Sequence, residues 1–85
     1  MRLGRIAGQS GLEIRNVMAS GRRTSVRLEP VMWDSLEEIS RRERVSMPDI
    51  FTLIDQRRGG SPFTGAIRLF VLTYFRVAAL ADPNF

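Results

Sequence analysis

The chain of 85 residues contains no cysteine, no histidine and no lysine, and its aromatic residues are five phenylalanines, one tryptophan and one tyrosine. Each absence removes a class of chemistry. Without cysteine there is no disulfide framework, no thiolate nucleophile and no sulfur ligand for zinc. Without histidine there is no imidazole to act as a general base near neutral pH or to ligate a metal. Without lysine, no phosphate-cradling loop ending in Gly-Lys-Ser/Thr can be written. The acids form no recognisable acid/base pair, so the expectation is a protein that is not an enzyme and carries neither cofactor nor metal. Arg2 and Arg5 are followed by no apolar run of signal-peptide length, which predicts a cytoplasmic protein.

What is present is arginine. All thirteen cationic residues are Arg, for a formal net charge of +4. A lysine-poor genome accounts for the residue type as readily as a function does, so position carries more weight than number. Residues 1–29 hold six arginines against Glu13 and Glu29, whereas residues 30–60 hold five against six acids. The positive excess is therefore concentrated in the N-terminal third, as expected for a surface that meets polyphosphate. The 44% hydrophobic and 26% charged content is that of an ordered globular domain. A fold of this size buries only about 60% of its unfolded surface, so self-association is expected.

The N-terminal segment 1–21 reads as a basic arm, with Gly4, Gly8 and Gly11 in its first part and a short extra strand at 14–18 before a turn at Ser20-Gly21. Arg2, Arg5 and Arg15 are secondary candidates for contacts from that arm. The segment Arg22-Arg23-Thr24-Ser25-Val26-Arg27-Leu28 then alternates with the period of a strand. Thr24, Val26 and Leu28 point one way, suited to a core, and Arg23, Ser25 and Arg27 the other. Two guanidinium forks and a hydroxyl are groups that read base edges in a major groove. The same alternation also describes a solvated sheet face, and the sequence that follows is what separates the two readings.

Glu29-Pro30 starts a helix over Pro30–Glu43, with Met32, Trp33, Leu36 and Ile39 on its apolar stripe. After a turn at Arg44-Val45, Ser46-Met47-Pro48-Asp49 matches a capping box for a second helix to Arg57, with Met47, Ile50, Phe51, Leu53 and Ile54 on one side. Gly59-Gly60 stops it, and Ser61-Pro62, read as N-cap and first turn, begins a third helix running to about Leu80. That helix places Phe63, Ile67, Phe70, Val71, Tyr74 and Ala78 on one face, but Leu69, Leu72 and Leu80 on the other, a pattern usual for helices buried on more than one side. As a membrane span it is poor, because Arg68 and Arg76 would each cost about 2.5 to 3.5 kcal/mol at bilayer depth. Arg41, Arg42, Arg57 and Arg58 interleave with acids and read as solvated faces.

Basic alternating strand, helix, short turn and serine-capped second helix, from Arg23 to about Arg57, resemble the ribbon-helix-helix (MetJ/Arc-like) superfamily of dimeric DNA-binding proteins. The run from Arg22 to Pro30, Trp33-Asp34 with Leu36, and Ala66-Ile67-Arg68-Leu69-Phe70-Val71-Leu72 are similar to short bacterial ribbon-helix-helix proteins. The resemblance implies a mainly α fold with one short strand. Two chains would pair that strand antiparallel into an intermolecular ribbon, with residues 22–58 as the core and 59–85 as an additional C-terminal helix. It implies double-stranded DNA as partner and transcription regulation as role. Arg23, Ser25 and Arg27 fall on the base-contacting positions. Arg22, Arg44, Ser46 and Met47 fall at phosphate contacts around the amino end of the second helix, where Ser46 is equally a helix cap. Arg44 stands where the family commonly has glycine. The competing reading is a protein-interaction or antitoxin-like module, in which the C-terminal helix binds a protein partner or builds a dimer or tetramer.

Overall fold

The structure, a computed structural model, describes residues 11–82. Its first element is a β-hairpin formed by β1 (Glu13–Ala19) and β2 (Arg22–Leu28), paired antiparallel with Asn16 opposite Ser25 and Ala19 opposite Arg22. The expectation of a single strand is thereby corrected: the short extra strand at 14–18 forms, is longer than expected, and supplies β2 with a ladder partner inside the same chain. The reason is local. Ser20 and Gly21 both adopt positive φ, 53° and 75°, the backbone that a two-residue hairpin turn of type I′ requires. Glycine takes this conformation freely, whereas serine does so at a cost. Here Ser20 is held on both sides: its amide donates to Thr52 Oγ1 at 2.9 Å and its hydroxyl to Asp55 Oδ2 at 2.7 Å. The hairpin tip is thus pinned to the second helix.

Three helices follow: α1 (Pro30–Glu43), α2 (Met47–Arg57) and α3 (Phe63–Ala81). Pro30 opens α1 where its missing N–H is not needed, and the Glu29 carbonyl receives the amides of Met32 and Trp33. Between α1 and α2, Arg44 has φ 56° and ψ 44°, the left-handed conformation that closes many helices. The Ser46 hydroxyl accepts from the Asp49 amide at 3.2 Å, so the serine half of the expected capping box is present. At α3 the expected cap shifts by one residue. Pro62 is the N-cap and its carbonyl takes the Ala66 amide, while the Ser61 carbonyl accepts from Arg58.

The inner hairpin face, the α1 stripe and α2 meet in one core in which Val26, Leu28, Trp33, Leu36, Ile39, Ile50, Phe51 and Ile54 are buried, closed by Ile67 and Val71 of α3. Trp33, Phe51 and Phe63 form a chain of edge-to-face contacts with centroids 6.2 Å apart at each step. Leu53, expected on the core side, is 40% exposed. Arg58 acts as a staple and not as part of a solvated face: it reaches Asp55 at 2.8 Å and the Ser61 carbonyl at 2.7 Å, with its guanidinium over the Phe63 ring. Arg42 likewise pairs with Glu38 and lies over Phe75.

By length and composition α3 could cross a membrane, with 19 residues and a mean hydropathy of 1.4. Insertion would, however, extract Ile67 and Val71 from the core and break the Arg68 pair with Glu29 at 2.9 Å. The Glu29 carboxyl is held below its usual range by its own backbone amide first and by Arg68 second. The opposite face of α3, with Leu69, Leu72, Val77 and Leu80, is exposed, so within one chain this helix is covered on one side and not on two.

The left-handed Arg44 has a measurable consequence. Replacing it with glycine removes the steric cost of a side chain in this conformation and stabilises the fold by about 0.5 to 1 kcal/mol, after the loss of unfolded-state restriction is counted. Chemical denaturation of R44G against the parent chain checks this, and an unchanged midpoint would mean that the turn bears no such cost.

Candidate nucleic-acid interface

Because strand side chains alternate, the hairpin register sorts its residues into two faces. Val26, Leu28 and Ala19 go inward and are buried. Ile14, Asn16 and Met18 of β1 and Arg23, Ser25 and Arg27 of β2 go outward, in the opposed pairs Ile14 with Arg27, Asn16 with Ser25 and Met18 with Arg23. All six are exposed. The three residues expected to contact bases therefore share one solvent-facing surface, on the side of the hairpin away from the core.

Among the described residues, Arg23, Arg27 and Arg44 make no ion pair, whereas Arg15 does. Position in the sequence suggests a mobile arm for Arg15, but it lies on the inner face of β1. There it reaches Glu37 at 2.8 Å and Glu13 at 2.5 Å and covers the Trp33 ring at 4.7 Å. Glu37 foremost, then Glu13, raises the Arg15 pKa. Arg15 is thus an internal strut, and the outward cations of the ribbon belong to β2 alone. Arg2 and Arg5 lie outside the described residues.

Ser25 is not a free hydroxyl. It donates to Asn16 Oδ1 at 2.8 Å, so towards a ligand it can only accept. Arg22 alternates with Arg23 along β2, and both border, with Thr24, Asp55, Arg58 and Phe63, a cleft of about 220 Å³. The Asp55 carboxyl is depressed chiefly by Arg58, then by Ser20, with a smaller contribution from Arg22. Arg22 therefore directs part of its charge to an internal acid, and its claim on a phosphate is weaker than that of Arg44.

Arg44, Ser46 and Met47 come together at the amino end of α2. Arg44 and Ser46 are exposed and Met47 is half-buried. An amide-rich helix start beside an unpaired guanidinium suits an anion, and Asp49 in the first turn works against it. The hairpin tip contacts Thr52 and Asp55, so it sits roughly 9 to 14 Å further along α2 from Ser46 at 1.5 Å rise per residue. The ribbon face and the helix-start cluster are two separate places on the chain.

Asn16 is the residue that sequence reasoning missed. The signal that could have found it was the Ser20-Gly21 turn, since a two-residue turn at that point fixes Asn16 opposite Ser25.

A basic β-ribbon backed by two helices, with its cations turned away from the core, defines a class of DNA-binding fold. The family model for the ribbon-helix-helix domain matches residues 12–75, and the chain belongs to that family, whose members commonly bind DNA as transcription regulators and form a non-enzymatic fold group. An uncharacterized protein from Bordetella pertussis Tohama I has a similar structure, with a TM-score of 0.73 at 30% identity over 95% of this chain and 73% of that one. No curated protein matches.

Proposed function

We propose that the protein is a sequence-specific binder of double-stranded DNA acting in transcription regulation, and that its working form is a homodimer. The observation that carries this reading is the pair Arg23 and Arg27, exposed, without ion-pair partners among the described residues, and on the outer face of a two-stranded ribbon. An uncommitted arginine fork binds guanine O6 and N7 in a bidentate manner. Ser25, its hydrogen given to Asn16, offers lone pairs that suit the amino group of cytosine or adenine. Arg44 and the Ser46 and Met47 amides hold a phosphate at the start of α2, with Arg22 as a lesser backbone contact.

The sheet edge supports the dimer. The sheet has two strands in the order β1-β2, so among the described residues the outer edge of β2 carries no strand. An open edge invites pairing with another copy. Pairing β2 with the β2 of a second chain across a twofold axis yields the order β1-β2-β2-β1, a four-stranded sheet in which both sets of arginines stand on the two central strands. The intermolecular ribbon expected from the family then forms between hairpins instead of between lone strands.

Selection of bound sequences from random duplexes, with affinity measured across salt, tests the proposal. The expected result is one enriched motif with twofold-related halves and an affinity that falls steeply with salt. Recovery of unenriched sequence would overturn it. A second reading is favoured by a separate observation: Leu53, Ile54, Gly65, Ala66, Leu69 and Phe70 line an apolar groove of about 610 Å³ between α2 and α3, beside exposed Leu72. In that reading α3 mediates tetramer formation or holds a protein partner. Substituting Leu69 and Leu72 by serine in the same selection separates the two, since an assembly surface loses higher oligomers while the enriched motif stays.

A further inference from the structure

We propose that Asn16 is a DNA phosphate contact, aimed by Ser25, and that β1 runs as a rail along the wall of the major groove. This rests on the four-stranded dimeric sheet proposed above. Neighbouring strands lie about 4.8 Å apart, so four strands set their outermost axes roughly 14 Å apart. The major groove is about 12 Å wide. The two central β2 strands fit within it, while each β1, about 7 Å from the twofold axis by the same spacing, comes level with the sugar-phosphate wall.

The chemistry of the outward β1 residues matches that position. Ile14 and Met18 are apolar and exposed at 56% and 42%, and between them Asn16 offers a polar side chain. Its carboxamide oxygen accepts from the Ser25 hydroxyl at 2.8 Å, while the amide nitrogen and its two hydrogens have no partner among the described residues. Bidentate recognition of adenine needs both the oxygen and the nitrogen of an asparagine. A phosphate oxygen needs a donor alone. With a lone pair of the acceptor end engaged by Ser25 on the outer face, the donor end is the uncommitted one and suits the backbone better than a base. Asn16 thereby differs from Arg23 and Arg27: it fixes the depth and register of the ribbon and leaves sequence choice to β2. Ser25 has a second role as its positioning residue.

The test is methylphosphonate interference on a duplex carrying the selected motif, comparing the full chain with N16A, S25A and R27A. In the parent, neutralising one phosphate per half-site beyond those contacted by α2 lowers affinity about tenfold, the scale of one hydrogen bond to a charged group. N16A shows that loss already on the unmodified duplex and no further loss at that phosphate. Its enriched motif is unchanged at the guanines read by Arg23 and Arg27, with any change confined to the base facing Ser25, whose hydroxyl hydrogen is released, and its salt dependence is unchanged because asparagine releases no counterion. S25A shows part of the loss at the same phosphate. An interference profile identical between N16A and the parent, or a motif changed in N16A at the guanines read by Arg23 and Arg27, overturns the inference while leaving DNA recognition intact. If R27A as well as N16A leaves affinity and profile unchanged, the nucleic-acid reading itself has failed. Thermal melting of N16A distinguishes a role confined to the hairpin, which would lower the melting temperature, leave binding to the folded protein untouched and so overturn the phosphate contact.

Discussion

Replacing Arg27 with alanine lowers affinity for the preferred sequence by roughly 5- to 150-fold per half-site, with a similar loss for Arg23→Ala, and leaves the fold and the dimer in place. The magnitude is that of one bidentate guanine contact, about 1 to 3 kcal/mol. The specificity of the effect follows from where these side chains stand. Both are exposed on the outer face, and neither appears in a hydrogen bond, ion pair or ring contact with a described residue. Truncating them removes nothing that the monomer uses. Substituting Arg15, by contrast, would remove two ion pairs and a cation–π contact and confound any measurement on DNA. Arg27→Lys refines the test: a lysine keeps the charge and loses the fork, so attraction to the backbone persists while discrimination at the guanine weakens. Binding assays on the selected motif and on a scrambled duplex separate these two losses. Equal affinities of the parent and R27A for both duplexes would remove Arg27 from the reading surface.

Much of this surface is legible in the sequence, and the reasons are physical. The alternation in Arg22–Leu28 required one face to be apolar, and Val26 and Leu28 are buried. Pro30, Ser46 and the three- and four-residue spacing of Trp33, Leu36 and Ile39 set the limits of α1 and α2, because capping and stripe signals are local. The partner of β2 was not legible in the same way. Glu13–Ala19 interleaves Ile14, Asn16 and Met18 outward with Arg15 and Val17 inward, so each face mixes charge or amide with hydrophobe and the period-two signal is blurred. Its inward arginine is neutralised by Glu37 from α1, a residue 22 positions away that no local pattern reveals. Ser20 in a left-handed conformation was hidden for the same reason, since its supports, Thr52 and Asp55, come from α2. The exposed face of α3 is the converse case: the spacing of its leucines marks a second apolar face, but no described residue of the same chain covers it.

Trp33→Ala should be the most destabilising single substitution in the described core. The indole is 1% exposed and touches Phe51 edge-on. Removing a buried aromatic costs about 3 to 5 kcal/mol, against roughly 4 to 13 kcal/mol of total stability for a chain of this size. A fall in Tm of roughly 15 to 30 °C is expected by calorimetry. Volume is only part of the reason. The Trp33 Nε1–H donates to the Glu13 carbonyl at 2.9 Å and its ring face carries Arg15, so one side chain of α1 fastens the start of β1 from below. Trp33→Phe isolates that second function, because it keeps an aromatic against Phe51 while the Glu13 carbonyl loses its donor, at a cost of about 1 to 3 kcal/mol. Amide exchange in W33F should then accelerate most along β1, with α2 and its tie to Ser20 less affected. Uniform acceleration across the chain would show that Trp33 fills space and nothing more. Selective loosening of β1 would instead show that α1 holds the hairpin in the two-stranded form on which its outward arginines depend.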